Sequence, residues 1–171
     1  MFIPKFIIPD LRTNHAGETG AVYIYKGILT VTKDPELINF SKRHLKTEES
    51  HLDLINKIIP EDKKSKILII WKFMGFLTGF LPALFGTRFV FATIYYVETF
   101  VEKHYKRQIL SISNNKSYTE LKSLLEKLKN DEENHKEEAL YKIKKFNLFI
   151  KIWGKIVDNG SKIAVLISYK I

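Results

Sequence analysis

Two short stretches, Glu48-Glu49-Ser50-His51 and Glu132-Glu133-Asn134-His135, carry the same Glu-x-x-His spacing. Each lies on the apolar stripe of a segment whose hydrophobic residues recur every three or four positions, the period of a helix. Leu37, Ser41, Leu45, Glu48, His51 or Leu52, and Ile55 form one stripe; Leu121, Leu125, Leu128, Glu132, His135 and Ala139 form the other. Two further stripes each hold a single carboxylate: Leu11, His15, Glu18, Val22, Tyr25 and Leu29, then Phe91, Ile94, Glu98, Val101 and Tyr105. Charged groups therefore stand where a core belongs.

Four Glu and two His directed into one interior need a compensating cation, because a buried unpaired carboxylate is costly. A metal supplies it. The pattern also repeats: Glu18 precedes Glu48 by 30 residues (48 − 18) and Glu98 precedes Glu132 by 34 (132 − 98), each half giving one lone Glu and one Glu-x-x-His. Two such hairpins about a pseudo-twofold axis bring four carboxylates and two imidazoles around a pair of metals, the donor inventory of a ferritin-like di-iron or di-manganese site. The predicted fold is all-α, a ferritin-like four-helix bundle with an extra apolar crossover helix and a C-terminal amphipathic helix. The expected metal ligands are Glu18, Glu48, His51, Glu98, Glu132 and His135. The chain has no Cys, which removes thiolate sites, iron–sulfur clusters and disulfide scaffolds.

The remaining sequence fits that frame. A length of 171 residues suits one domain, residues 1–171. Helices are predicted over about Asp10 to Val31 and, capped by Asp34 with Pro35 in the first turn, to about Ile59. A third covers Ile67 to Phe85 and a fourth runs from about Thr87 to Ser113. A Ser117/Glu120 capping box opens the fifth, which ends near Phe146, and a last apolar and basic segment covers Leu148 to Ile171. Met1 to Leu11, interrupted by Pro4 and Pro9, is too short for a secretory signal, so the mature protein is expected to start there.

Other polar residues on or beside the stripes receive lesser roles. Tyr25, His104 and Tyr105 are candidates for contact with the ligands, and His15 stands beside them as a supporting or surface histidine. His44 reads as surface, and Glu49, Glu102 and Glu133 as solvated. Asp131 is placed to accept from the N–H of a ligand imidazole, which its counterpart Thr47 cannot do as an anion.

At these residues the chain resembles the 5-demethoxyubiquinone hydroxylase family of ubiquinone biosynthesis. Asn14-His15-Ala16-Gly17-Glu18-Thr19-Gly20-Ala21 is similar to the family's Asp-His-Ala-Gly-Glu-x-Gly-Ala opening, with Asn14 where Asp is usual; Arg12 and Tyr25 also fit. Glu48 to Leu52 resembles the first Glu-x-x-His-Leu, Val97-Glu98 through His104-Tyr105 a Val-Glu segment ending in His-Tyr, and Asp131 to His135 the second Glu-x-x-His. The resemblance covers about Leu11 to the end. It implies a di-iron monooxygenase that hydroxylates the ring of a polyprenylated demethoxybenzoquinol, with two iron ions as cofactor and dioxygen as co-substrate. Glu18, Glu48 and His51 would hold one iron and Glu98, Glu132 and His135 the other, some carboxylates bridging. The alternatives with the same donor inventory are a ferroxidase, peroxidase or manganese catalase, and a non-catalytic quinone- or lipid-binding module.

Such a substrate lives in lipid, and two segments address that. Ile67 to Thr87 is apolar apart from Lys72, but a single span there would put Glu48 and Glu98 on opposite sides of a membrane. Gly75, Gly79 and Pro82 instead suit a broken or crossover helix lying against the bilayer, its apolar face forming the mouth of a prenyl channel. Tyr141 to Ile171 carries seven Lys and one Asp, 7 − 1 = +6, interleaved with Phe149, Ile152, Trp153, Ile156 and Leu166. That composition suits an interfacial helix on anionic lipid, or one whose apolar face packs on the bundle. The net charge of +9 (28 − 19) would also attract nucleic acid, but 24 of the 28 basic residues are Lys and no base-reading motif occurs, so nucleic acid is not an expected partner. The expected location is peripheral, on the cytoplasmic face of a bacterial-type cell membrane, with a protein partner or homo-oligomer left open.

Overall fold

The computed structural model describes residues 1–143 and 145–171; Lys144, one of the seven lysines counted above, lies outside the described residues. Six α-helices follow one another: α1 (Ile8–Val31), α2 (Pro35–Ile58), α3 (Leu68–Leu84), α4 (Thr87–Ile112), α5 (Thr119–Ile143) and α6 (Leu148–Ser168). No strand occurs among the described residues. The chain is all-α.

The helix starts follow local chemistry. Asp34 accepts from the Leu37 N–H at 2.9 Å and Pro35 takes the first turn of α2, as expected. Asn147 does the same for α6 through the Ile150 N–H. Before α5 the capping residue is Asn115, whose side chain accepts from the Ser117 N–H and opens a short 3-10 turn, so the expected start at a Ser117/Glu120 box is displaced. The described part of α5 runs to Ile143, and residues 145–147 are not helical, so the helix falls short of Phe146. Gly86, with φ 101°, joins α3 to α4 in a left-handed conformation that a side chain would strain.

Helices α1 and α2 form one hairpin and α4 and α5 the other, while α3 lies along α1 and reaches α4, and α6 lies on α4 and α1. The bundle thus has a covered side, at α1 and α4, and an uncovered side, at α2 and α5. Its apolar core is split in two. One cluster gathers Tyr25, Ile28, Phe40, Phe91, Ile94 and Ala139, and the other Leu11, Ile55, Tyr105, Ile112, Leu121 and Leu125. On every bundle helix the inward Glu falls between the two clusters, so apolar packing closes both ends of a polar middle. Each fully buried Leu or Ile contributes about 1.5–3 kcal/mol, which is what holds the charged middle in place.

Helix α3 is continuous, so of the two forms expected, broken or crossover, it takes the crossover. Its glycines serve close approach instead. A Cβ on Gly75 would run into the backbone of Gly20, one on Gly79 into the Ile24 carbonyl, and one on Gly27 into the backbone at Phe76, so α1 and α3 touch main chain to main chain. At 17 residues α3 is about 26 Å long, shorter than the ~30 Å apolar core of a bilayer. Among the described residues no helix is long and apolar enough to cross a membrane. Helix α6 packs on the bundle by one face and leaves apolar side chains exposed on the other. Ile150, Gly154 and Val157 pack inward, with Gly154 under the Tyr96 ring, while Phe149, Ile152, Ile156, Ile163 and Leu166 stay exposed.

Candidate metal centre

The four lone or paired glutamates and the two histidines meet between the apolar clusters. None is more than 4% exposed. Their side-chain oxygens and nitrogens form two overlapping groups, Glu18, Glu48, His51 and Glu132, and Glu48, Glu98, Glu132 and His135, the atoms of each lying within 4.8 Å of one another. Glu48 and Glu132 belong to both. The structure thus brings all six expected residues together, each lone Glu with the imidazole of its own half, and the two Glu-x-x-His glutamates are common to both groups.

The contacts within the cluster are short. His51 Nδ1 lies 3.0 Å from Glu132, 3.6 Å from Glu48 and 3.7 Å from Glu18; His135 Nδ1 lies 3.0 Å from Glu48 and 3.3 Å from Glu132. Yet both Glu48 oxygens, one oxygen each of Glu18 and Glu132, and His135 Nδ1 are buried with no aligned hydrogen-bond partner. Orphaned acceptors around a common centre are the signature of a cluster built for a cation.

Without a cation the cluster balances itself with protons. Burial pushes the Glu18 carboxyl up to about 7, against the pull of His51. Burial, with the negative Glu132 and Glu48 alongside, holds Glu98 well above the carboxylate range. For Glu48 burial acts upward too, but the close approach of His135 and His51 prevails and lowers it. Both imidazoles shift the other way: burial opposes their charge, and the carboxylates outweigh it, raising His51 strongly and pushing His135 up to about 10.

Of the residues expected to contact these groups, Asp131 and Tyr105 hydrogen-bond to them, whereas Tyr25 and His104 do not. Asp131 Oδ2 sits 3.1 Å from His51 Nε2, the expected carboxylate behind a ligand imidazole, here across the bundle. The Tyr105 hydroxyl donates to Glu18. Tyr25 is fully buried, stacks on His44 and has no partner for its hydroxyl. His104 stands one turn further along the α1–α4 interface: the Thr13 hydroxyl donates to the Asp10 carbonyl and so accepts from His104 Nε2 at 2.7 Å, while burial lowers the imidazole to about 4 and keeps it neutral. Next to it Asn14 and Gln108 exchange two amide hydrogen bonds of 2.8 Å. His15 is buried, with Nδ1 unpartnered.

Two expectations are corrected. His44 is not on the surface: it is 5% exposed, its ring meets His135 edge-on at 4.0 Å, and its Nε2 lies 2.9 Å from Glu138. The signal was in the spacing, since Ser41, His44, Glu48 and His51 continue one stripe by steps of three and four. Glu102 is half-buried and paired with Lys136 at 2.6 Å rather than solvated, whereas Glu49 is exposed as expected and Glu133 pairs with Lys129 at the surface. Glu138, which engages both Arg43 and His44, was not singled out by sequence, because its partners lie 95 and 94 residues away.

The family model of ubiquinone biosynthesis protein COQ7 matches residues 6–168. The chain is 29% identical over 167 residues to the NADPH-dependent 3-demethoxyubiquinone 3-hydroxylase, mitochondrial, of Dictyostelium discoideum, and 25% identical over 165 residues to the protein of that name from Homo sapiens. It is 25% identical over 164 residues to the 3-demethoxyubiquinol 3-hydroxylase of Rhodospirillum rubrum. Each alignment covers 94% of this chain and 76% of the relative. The chain belongs to the ubiquinone biosynthesis protein COQ7 family.

Proposed function

We propose that this protein is a di-iron monooxygenase that hydroxylates the ring of a polyprenylated demethoxybenzoquinol in ubiquinone biosynthesis. The observation that carries the reading is the pair of overlapping buried groups sharing Glu48 and Glu132, in a chain whose relatives are named as hydroxylases of this substrate. Those names do not favour a ferroxidase, a peroxidase or a binding module.

The residues fit the metal. Oxygen-rich, thiolate-free donors suit iron or manganese, and the orphaned acceptors converge where a cation would relieve them. Glu18, Glu48 and His51 would hold one iron and Glu98, Glu132 and His135 the other, with Glu48 and Glu132 shared. When bound, the iron pair supplies reductive activation of dioxygen, one atom entering the ring and the other leaving as water. The protein's own groups set the stage for it. Asp131 fixes the His51 ring so that Nδ1 faces the cluster. Tyr105 holds the Glu18 carboxylate from the α4 side. The apolar clusters at both ends exclude water from the polar middle. The names of the Dictyostelium and human relatives specify NADPH, while that of the Rhodospirillum relative does not, and a reduced nicotinamide would supply the two electrons that balance the reaction.

The substrate's tail places the enzyme on lipid. Exposed Ile69, Phe73, Met74 and Phe85 at α3 and Phe149, Ile152, Ile156 and Leu166 on α6 give the covered side of the bundle an apolar outer surface, with Lys151 and Lys155 alongside. This supports a peripheral seat on an anionic leaflet, in keeping with the expected cytoplasmic face of a bacterial-type cell membrane. Because α3 closes on α1 through backbone contact, the tail would run along the outside of this layer. The test is to load protein with iron(II) anaerobically, add a demethoxyquinol and isotopically labelled dioxygen, and read the product by mass spectrometry. One labelled oxygen on the ring is expected; an unmodified ring with two irons bound overturns the reading.

A further inference from the structure

A hydrated divalent ion can reach six buried groups only by a polar route. The covered side offers none at α1 and α3, where main chain touches main chain. The uncovered side does. Between α2 and α5 lies an open cavity of about 240 Å³ lined by Arg43 and Thr47 and by Asp131, Asn134, His135 and Glu138, with His44 forming part of its wall. Of the six cluster groups it reaches only His135, whose Nδ1 is buried without a hydrogen-bond partner. A second cavity of similar size, lined by Asp10, His104, Arg107 and Gln108, touches none of the six.

The two imidazoles are also supported unequally. His51 is backed by the Asp131 carboxylate at 3.1 Å, and Asp131 is the residue before Glu132. In the other half the residue before Glu48 is Thr47, which offers no anion, and the open cavity stands there beside His135. A carboxylate behind a ligand imidazole raises its basicity and tightens the metal it holds. One half therefore has the stronger grip and the other the open door.

We infer that the α2–α5 cavity is the port through which the metal of the Glu48, Glu98, Glu132 and His135 group exchanges with solvent, the metal beside His51 being the retained one. The inference rests on the metal-centre reading. Oxygen atoms of Asp131, Glu138, Thr47 and Asn134 replace the ion's water shell stepwise, and the two carboxylates offset locally the +9 of the chain, which at long range repels cations. Arg43 covers the port by donating to both Glu138 oxygens, at 3.3 and 2.6 Å. Its side chain is 55% exposed, and an ion pair so placed opens readily.

Loss of iron to a chelator added in excess to anaerobically loaded, full-length protein tests this. Two phases of one iron each are expected. Arg43→Ala should speed both the uptake and the fast loss several-fold at unchanged final stoichiometry. Thr47→Asp, by supplying the missing carboxylate, should slow the fast phase about tenfold, the lower end of what such partners contribute to affinity. A single phase, or a fast phase that neither variant moves, overturns the port while leaving the metal centre standing. Failure of the unmodified protein to bind iron overturns both.

Discussion

The Tyr105 hydroxyl donates to Glu18 across the α1–α4 interface, whereas Tyr25, which follows Glu18 by seven residues as Tyr105 follows Glu98, is buried with its hydroxyl unpartnered. The pseudo-symmetric pair is thus unequal. Removing the Tyr105 hydroxyl leaves a buried carboxylate oxygen unsatisfied, so Tyr105→Phe should destabilise the metal-free protein by about 1–3 kcal/mol. Tyr25→Phe removes a group that bonds to nothing and should be neutral or slightly stabilising. Chemical denaturation of the two variants side by side checks this, and equal effects would contradict it.

Glu98→Ala and His135→Ala should each lower iron content as well as turnover, read by elemental analysis and product formation. Glu98→Gln separates metal binding from folding. Burial and the neighbouring carboxylates raise Glu98 well above the carboxylate range in the metal-free protein and so favour its neutral form, so the neutral amide should destabilise that form less than Glu98→Ala does while still losing iron. Unchanged iron stoichiometry in any of the three would remove that residue from the ligand set.

The cluster's protons predict opposite pH behaviour with and without metal. His135 is raised from 6.5 to about 10, so its contribution to metal-free stability is fully present below pH 6.5 and is lost as pH rises through 10. Glu18 is a carboxyl raised from 4.5 to about 7, so the metal-free protein also loses stability as pH climbs through that window. Metal must displace these protons, so its affinity should increase with pH, most steeply below 7 where Glu18 also holds one. Melting curves from pH 6 to 9 should therefore fall for the metal-free protein and rise for the iron-loaded one. Parallel curves would show that the cluster does not exchange protons for metal.

Membrane attachment should weaken with salt. Flotation with anionic vesicles is expected to fall as ionic strength shortens the reach of Lys151 and Lys155, and to fall further in the Lys151→Glu, Lys155→Glu double variant. Salt-independent flotation would leave the apolar surface as the sole anchor.

The glycines of α3 and α6 should sort by what a methyl group would meet. Gly75→Ala or Gly79→Ala drives a side chain into the α1 backbone and should cost at least about 1–3 kcal/mol. Gly154→Ala meets the Tyr96 ring and should loosen α6. Gly160→Ala, in the same helix but facing open space, should instead stabilise by about 0.5–1 kcal/mol. Thermal melts of the set would show whether the close contacts exist in solution.

Much of the centre was legible because its residues violate the polarity of their surroundings. A Glu on an apolar helical stripe is informative by itself, and the repeat of Glu18 with Glu48 and Glu98 with Glu132 tied the stripes to one interior. Asp131 could be placed because it adjoins Glu132. Helix ends were readable where a single residue decides them, as at Asp34. What could not be read depends on geometry between distant segments. The inward position of His44 was legible in the Ser41 to His51 stripe, but not the Glu138 that meets it from another helix. The glycines of α3 left a broken and a crossover helix both open, because sequence shows their flexibility and not the α1 backbone pressed against them. That Glu48 and Glu132 belong to both groups depends on how the helices are rotated about their axes, which the stripe patterns alone do not fix.

The sidedness of the bundle has one more implication. With α3 and α6 layered over α1 and α4, and the cavity opening between α2 and α5, the molecule keeps its greasy and its watery business on opposite flanks. A copy resting on a bilayer would still turn its mineral doorway to the aqueous phase, so refilling the centre would not require letting go of the lipid.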